Sequence, residues 1–235
     1  MICQGESDIE ASRTSSAEAM KAKKPGVKAV GRVQTTAEKR AAVLEAAAKV
    51  FLSGGYLGAS MDEIADLAGV SKQTVYTYFS NKEALFAAMA SALSNEASDR
   101  VQNSVAEFGE DDDLEGYLFG YAVRQLEVVL TPRILQLRRL VIGEVGRFPE
   151  LGAALYAGGP GRAIASLAAT FERLADRGAL SVHNPLLAAT QFNWLIMSAP
   201  LNRTMLLGDG AIPSSKELRE HAKEGVRMFL AAYSR

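Results

Sequence analysis

The chain has 235 residues, 48% of them apolar and 23% charged, with a formal net charge of -1. That length and composition suit one large or two small soluble domains with a real core, and the near-zero charge excludes a protein drawn to polyanions as a whole. A single cysteine, Cys3, and two histidines, His183 and His221, exclude a disulfide framework, a Cys-rich zinc module and a multi-histidine metal site.

The first twenty residues, MICQGESDIEASRTSSAEAM, hold no apolar stretch of the secretory kind. No apolar run reaches the ~18 residues that span a bilayer. The expectation is a cytoplasmic protein with no membrane partner. Residues 1–32 are polar and aperiodic, which predicts a disordered arm. From Lys21 to Arg40 seven basic residues stand against one acid, Glu38, whereas residues 83–235 carry 15 basic and 18 acidic residues. Such an arm either steers one end of the molecule toward a polyanion or serves as a solvated tail.

Helix signals begin at Thr35 and continue to the end. Thr35 and Glu38 form a capping box, followed by Val43, Leu44, Ala47, Val50 and Phe51 at helical spacing and closed by Gly54-Gly55. Ser60 and Glu63 form a second box, opening a short helix that Gly69 breaks. Ser71 caps a third helix, Lys72 to about Phe79, and Ser80 with Glu83 starts a long fourth one through Leu85, Phe86, Met89 and Leu93. Further on, Asp111-Asp112-Asp113, Thr131-Pro132, Pro149 and Asn184-Pro185 read as helix starts. The segment from Pro149 is expected to end at Gly158-Gly159-Pro160, and an amphipathic helix to run from Gly161 to Arg177. Residues 185–201 and 215–233 read as two apolar helices around a 202–213 loop. No alternating strand pattern is present, so the expected fold is all-α.

Residues 60–79 have the spacing of a helix-turn-helix, with a tight turn at Gly69. At 100° per residue Val75 and Phe79 point inward. Gln73 and Thr77 then point outward, flanked by Thr74 and Tyr76. A Gln amide pairs with the adenine edge and a Thr methyl meets the thymine methyl, while Tyr and Lys reach phosphates. The helix starts at Ser60, Ser71 and Ser80 each offer free amides to a phosphate.

These residues also carry a resemblance. The stretch TAEKRAAVLEAAAKVFLSGGYLGASMDEIADLAGVSKQTVYTYFSNKEALFAAM, residues 36–89, closely resembles the DNA-binding domain of the TetR family of bacterial transcriptional regulators. The resemblance implies an all-helical homodimer on double-stranded operator DNA with an inverted repeat. A helix-turn-helix domain at 33–82 would precede an effector-binding and dimerisation bundle at 83–235. By position, Lys72, Gln73, Thr77 and Thr74 would enter the major groove, and Tyr76, Tyr78, Lys82 and Ser60 would hold phosphates. Ala59 departs from the Thr often found there, which puts one phosphate contact in doubt. The stretch RRLVIGEVGRFPELGAALYAGGPGR, residues 138–162, resembles the ligand-binding half of one regulator subgroup.

The implied function is a regulator, read as a repressor released by a small, largely apolar effector, without enzymatic activity or cofactor. Tyr117, Tyr121, Leu137 and Phe171, with Phe192, Trp194, Met197 and Met205, are candidates for an apolar pocket, plain core packing being their alternative. Arg138 and Glu144 either orient a ligand or form ordinary ion pairs. For the dimer, proteins similar to this one point to the last two helices, with Ala188, Gln191 and Leu195 on one, and Val226, Phe229, Leu230 and Tyr233 on the other. One rival reading is a small-molecule binding protein that no longer reads DNA, favoured by the balanced charge of residues 33–82. The other is an enzyme in the C-terminal half, for which no catalytic constellation is visible: Gly158-Gly159-Pro160-Gly161 lacks the strand and the Lys-Ser/Thr of a phosphate loop.

Overall fold

A computed structural model describes residues 35–103 and 113–234. The expectations for the 1–32 arm and for Asp111 and Asp112 lie outside the described residues. Among those described there are helices and turns but no strand, and no helix is long and apolar enough to cross a membrane.

Thr35 opens α1 (Thr36–Gly58) as a reciprocal cap. Its hydroxyl accepts the Glu38 amide at 3.2 Å, and Glu38 accepts the Thr35 amide at 2.7 Å. The regular helix breaks at Gly55, at the expected Gly54-Gly55 step. Gly55 takes φ 72° and ψ 174°, and one more turn runs on to Gly58. A residue without Cβ takes that step freely. The step is followed by a buried Tyr56, whose ring lies 6.0 Å from Phe51 and 5.2 Å from Phe86.

Between α2 (Met61–Ala68) and α3 (Lys72–Tyr78), Gly69 supplies the left-handed turn at φ 67°. Ser60 accepts the amides of Asp62 and Glu63, and Ser71 that of Thr74. α4 (Lys82–Gln102) starts one residue later than the Ser80 box predicts. Its cap is Asn81, whose Oδ1 accepts the Ala84 amide at 2.7 Å. Glu83, which the box requires, instead accepts the Tyr56 hydroxyl at 2.8 Å.

Asp113 caps α5 (Leu114–Val129). Pro132 opens α6 (Pro132–Glu144), while the Thr131 hydroxyl donates back to Val128. α7 (Pro149–Tyr156) passes through Gly158-Gly159-Pro160 without a break. A wide π-type turn, Ala157–Gly161, leads straight into α8 (Arg162–Asp176). Pro160 lacks an N–H and would clash with the carbonyl four residues back in an α-turn; the wider turn accommodates it. The Ser98 hydroxyl of α4 donates to the Gly158 carbonyl. The glycines permit this approach, since a Cβ on Gly158 would lie 3.1 Å from both Ser94 Oγ and Asn95 Oδ1.

α9 (Pro185–Leu207) overruns its expected end at 201 and takes in the polar Asn202-Arg203-Thr204. Pro200, inside it, has no N–H to give the Ile196 carbonyl. His221 of α10 (Ser215–Tyr233) supplies the donor, its Nε2 lying 2.8 Å from that oxygen. This nitrogen therefore carries a proton. The Thr204 hydroxyl donates to the Pro200 carbonyl at 2.9 Å, so a polar residue continues the helix without an unmet bond. His221→Ala is expected to cost about 1–3 kcal/mol, the penalty of an orphaned acceptor, read as a lower urea midpoint at unchanged slope. A midpoint that stays put would show that the carbonyl is satisfied another way.

Buried side chains form two clusters. One joins Val43, Phe51, Ile64, Val75 and Phe86 of α1–α4 to Leu137, Val141 and Leu151 of α6 and α7. The other joins Leu118 and Leu126 of α5 to Phe171, Phe192 and Phe229 of α8, α9 and α10. The first core is thus completed by helices well beyond Lys82. Arg133 of α6 clasps Glu45 of α1 with both guanidinium Nη groups, one at 3.0 Å. At the α9–α10 crossing Gly225 sits so close to Ile196 that a Cβ would fall 2.5 Å from its Cδ1.

Candidate functional site

The face of α3 is built by what its opposite side buries. Val75 and Phe79 are 0% and 5% exposed, which leaves Lys72, Gln73, Tyr76 and Thr77 exposed, with Thr74 and Tyr78 half-buried. The Lys72 ammonium is 2.8 Å from Asp62 Oδ1 across the turn, and this hydrogen bond raises its pKa. Thr77 donates its hydroxyl to the Gln73 carbonyl at 2.8 Å, so outward it offers only lone pairs and a methyl. The Thr74 and Ser71 hydroxyls lie 2.9 Å apart. Ser60 is exposed, its hydroxyl engaged as a cap. Ala59 is buried. The Lys82 ammonium sits 4.8 Å over the Tyr56 ring and 3.4 Å from the Leu57 carbonyl.

Tyr56 lies under the Lys82 ammonium. Burial, and then its hydrogen bond to Glu83, push its pKa up to about 12. The phenol therefore keeps its proton at neutral pH and donates throughout. Its ring also meets Phe148, at the start of α7, at 4.9 Å.

A cavity lies where α4, α5, α6, α9 and the wide turn converge. The cavity proper is narrow, about 50 Å³, within about 690 Å³ of unfilled space that includes its mouth. Of the expected pocket residues, Tyr121, Leu137, Arg138, Trp194 and Met197 come together on its wall. Tyr117, Phe171, Phe192 and Met205 do not. Phe171 and Phe192 pack against Phe229 at 5.1 and 4.9 Å inside the core, and Tyr117 packs against that core's margin. Glu144 is not on the wall either. Burial raises the pKa of Tyr121 and lowers that of Arg138.

Most of the remaining wall was not expected from sequence, and it includes two buried amides. Gln125 is 3% exposed and Asn193 1%, and Gln125 Nε2 donates to Asn193 Oδ1 at 2.8 Å. Gln125 Oε1 and Arg138 Nε are buried and have no hydrogen-bond partner among the described residues. The available signal was an amide enclosed by two aromatic neighbours: Asn193 stands between Phe192 and Trp194.

The dimer expectation needs correction. Ala188, Val226 and Phe229 are 0%, 1% and 2% exposed within the single chain, so they have nothing to offer a partner. Leu195, Leu230 and Tyr233 are half-buried, and exposed Gln191 accepts the Tyr233 hydroxyl. The outer surface of α9 and α10 instead presents Leu186, Leu187, Trp194 and Met228. α9 is apolar all round, so periodicity could not separate its inner from its outer side.

Residues 43–89 match the family described as bacterial regulatory proteins, tetR family, and residues 116–235 match the AefR-like transcriptional repressor C-terminal domain. A TetR-family transcriptional regulator of Mesorhizobium loti shares the fold with a TM-score of 0.81 and 36% identity, over 86% of this chain and 100% of that one. The flavonoid-responsive regulator FrrA follows at 0.70 and 31%, over 84% and 98%. By sequence, the transcriptional repressor NicS of Pseudomonas putida is 31% identical over 114 residues, 47% of this chain and 52% of NicS. The transcriptional activator FasR of Mycolicibacterium smegmatis is 52% identical over 52 residues, 22% of this chain and 24% of FasR. The chain thus aligns with a quarter to a half of the length of these two curated relatives.

Proposed function

Because this chain belongs to the TetR family of bacterial regulatory proteins, and is a helix-turn-helix transcriptional regulator, we propose that it is a cytoplasmic repressor: two copies bind an inverted-repeat operator, and a small, largely apolar ligand in the cavity releases them. The observation that carries this reading is the outer face of α3, where Gln73, Tyr76 and Thr77 are exposed because Val75 and Phe79 anchor the other side. Lys72, Gln73, Thr74 and Thr77 read the major groove, and Ser60, Tyr76, Tyr78 and Lys82 hold phosphates. The copies pair through the outer surfaces of α9 and α10, which sets two half-sites about one helical turn apart. Repression is supported by the description of the matching C-terminal domain, and a small-molecule effector by the name of FrrA.

Release works through α6. Its Leu137 and Arg138 face the cavity, while its Arg133 holds Glu45 of α1. The enclosed part of the cavity is small, about 50 Å³, so a ligand that reaches beyond it presses on the helices around it. A near-complete switch requires the ligand to prefer the released state by about 10⁴-fold. Selection from random duplexes, followed by anisotropy on the enriched sequence, is expected to yield an inverted repeat bound by two chains. Recovery of no preferred sequence would defeat the reading.

Two substitutions separate this from a binding protein that has lost DNA, a reading favoured by the grip of Asp62 on Lys72. An exposed pair of this kind is worth about 0–1 kcal/mol. Asp62→Ala is therefore expected to tighten DNA binding by up to about fivefold and to steepen its salt dependence; unchanged binding would take Lys72 off the interface. Lys82→Ala is expected to weaken all duplexes alike and to lower the salt slope by about one. An unaltered slope would take Lys82 off the phosphate backbone.

A further inference from the structure

We infer that the cavity takes a small organic anion: an apolar body whose carboxylate or acidic phenolate seats against Arg138 and whose hydroxyl donates to Gln125. This deepens the effector reading above and rests on it.

The first argument is charge. Among the described residues Arg138 brings the sole formal charge to the cavity wall, on which no Asp or Glu stands. Its neighbours in the fold are treated differently. Arg133 has Glu45, Arg139 has Asp209 and Arg162 has Asp99, each a direct ion pair. Arg138 has no such carboxylate among the described residues, and its Nε–H is buried with no acceptor. Burial alone lowers its pKa from the ordinary value, yet a guanidinium stays protonated in proteins. A buried donor left unpaired is costly, more so when charged. An anion removes that cost, a neutral ligand removes part of it, and a cation adds to it.

The second argument is the amide. Gln125 spends Nε2 on Asn193 Oδ1, which fixes its orientation and leaves Oε1 buried and unpartnered. A carbonyl-type oxygen accepts only, so the complementary group on the ligand is an O–H or N–H. The third argument is the remaining wall. Val101, Val129, Ile134, Leu137 and Met197 are aliphatic or thioether, and Trp194 and Tyr121 offer rings. Ser94, Ser98, Gln102 and Asn193 also line it, but Ser98 spends its proton on Gly158, and Gln102 and Asn193 already accept from Arg162 and Gln125; the rest of the wall suits an apolar or aromatic body.

The test is calorimetry on the full chain with two matched trios: para-hydroxybenzoate, para-hydroxybenzamide and para-hydroxybenzylamine, then octanoate, octanamide and octylamine. Within a trio, size is constant and charge varies. The anion of at least one trio is expected to bind about tenfold or more tightly than its amide, the worth of one charge-assisted hydrogen bond, and the amine not measurably. Arg138→Met is expected to erase this preference by weakening the anion alone, and Arg138→Lys to retain part of it. Gln125→Met is expected to weaken para-hydroxybenzoate and spare octanoate. Equal binding of anion and amide, tighter binding of the amine, or no binding of either anion overturns the inference. The trios read this on the unsubstituted chain, so a variant that fails to fold does not decide the matter. Release of labelled operator is followed separately. An anion held by Arg138 that leaves DNA in place counts against the effector reading and leaves the anion site standing. A neutral member that outcompetes its anion and releases DNA does the reverse.

Discussion

Gln73→Ala is expected to weaken operator binding by about 1–3 kcal/mol and to relax base preference at a single position of each half-site. Gln73 is exposed at the second position of α3, with its backbone carbonyl taken by Thr77 and its side chain unencumbered by any ion pair. It is therefore the residue of this helix best placed to offer a donor and an acceptor together, as an adenine edge requires. Lys72 begins from a bond to Asp62 and Thr77 from a spent hydroxyl proton, so each gives less on reaching DNA. Affinities of the variant for the operator and for its single-base changes provide the measurement. A loss spread evenly over all duplexes would reassign Gln73 to the backbone.

Phe86→Ala is expected to lower stability by about 3–5 kcal/mol. Phe86 is 0% exposed, 5.0 Å from the Phe51 ring and 5.2 Å from that of Tyr56. It pins the first turn of α4 to the end of α1, and through Tyr56 to Phe148 of α7. The cavity it would leave is bounded by other buried rings with little freedom to collapse. Against a typical total of about 5–15 kcal/mol, such a loss leaves a marginal fold. Thermal and urea melts should shift together, and DNA binding should fail as the protein melts. A shift below about 1.5 kcal/mol would mean that the rings close the gap after all.

Features decided within one turn of chain were legible. Thr35 with Glu38, Ser71 before α3 and Gly69 between α2 and α3 all involve neighbours in sequence. Features decided across space were not. Ser80 and Asn81 are comparable caps, and the choice falls to Asn81 once Tyr56, 27 residues away, engages Glu83. Pro200 looks like the last turn of a helix until His221 repairs the bond it breaks. Leu137 and Trp194 could be seen as apolar, but that they face one void with Gln125 and Asn193 depends on how five elements converge. Much of the outer face of α3 was readable, because a seven-residue helix anchored by Val75 has few ways to turn.

The wide turn at Ala157–Gly161 also sets the rotational phase of the helix that follows it. A π-turn holds one residue more than an α-turn, and one residue is about 100° of helical phase. Deleting Gly159 would remove that extra residue, press Pro160 into an α-turn it does not fit and swing everything downstream by that angle, carrying Ile164, Leu167, Phe171 and Leu174 off the hydrophobic interior they now share. The irregularity works like a phase shifter between two gears: its extra tooth sets which face of α8 meets the core.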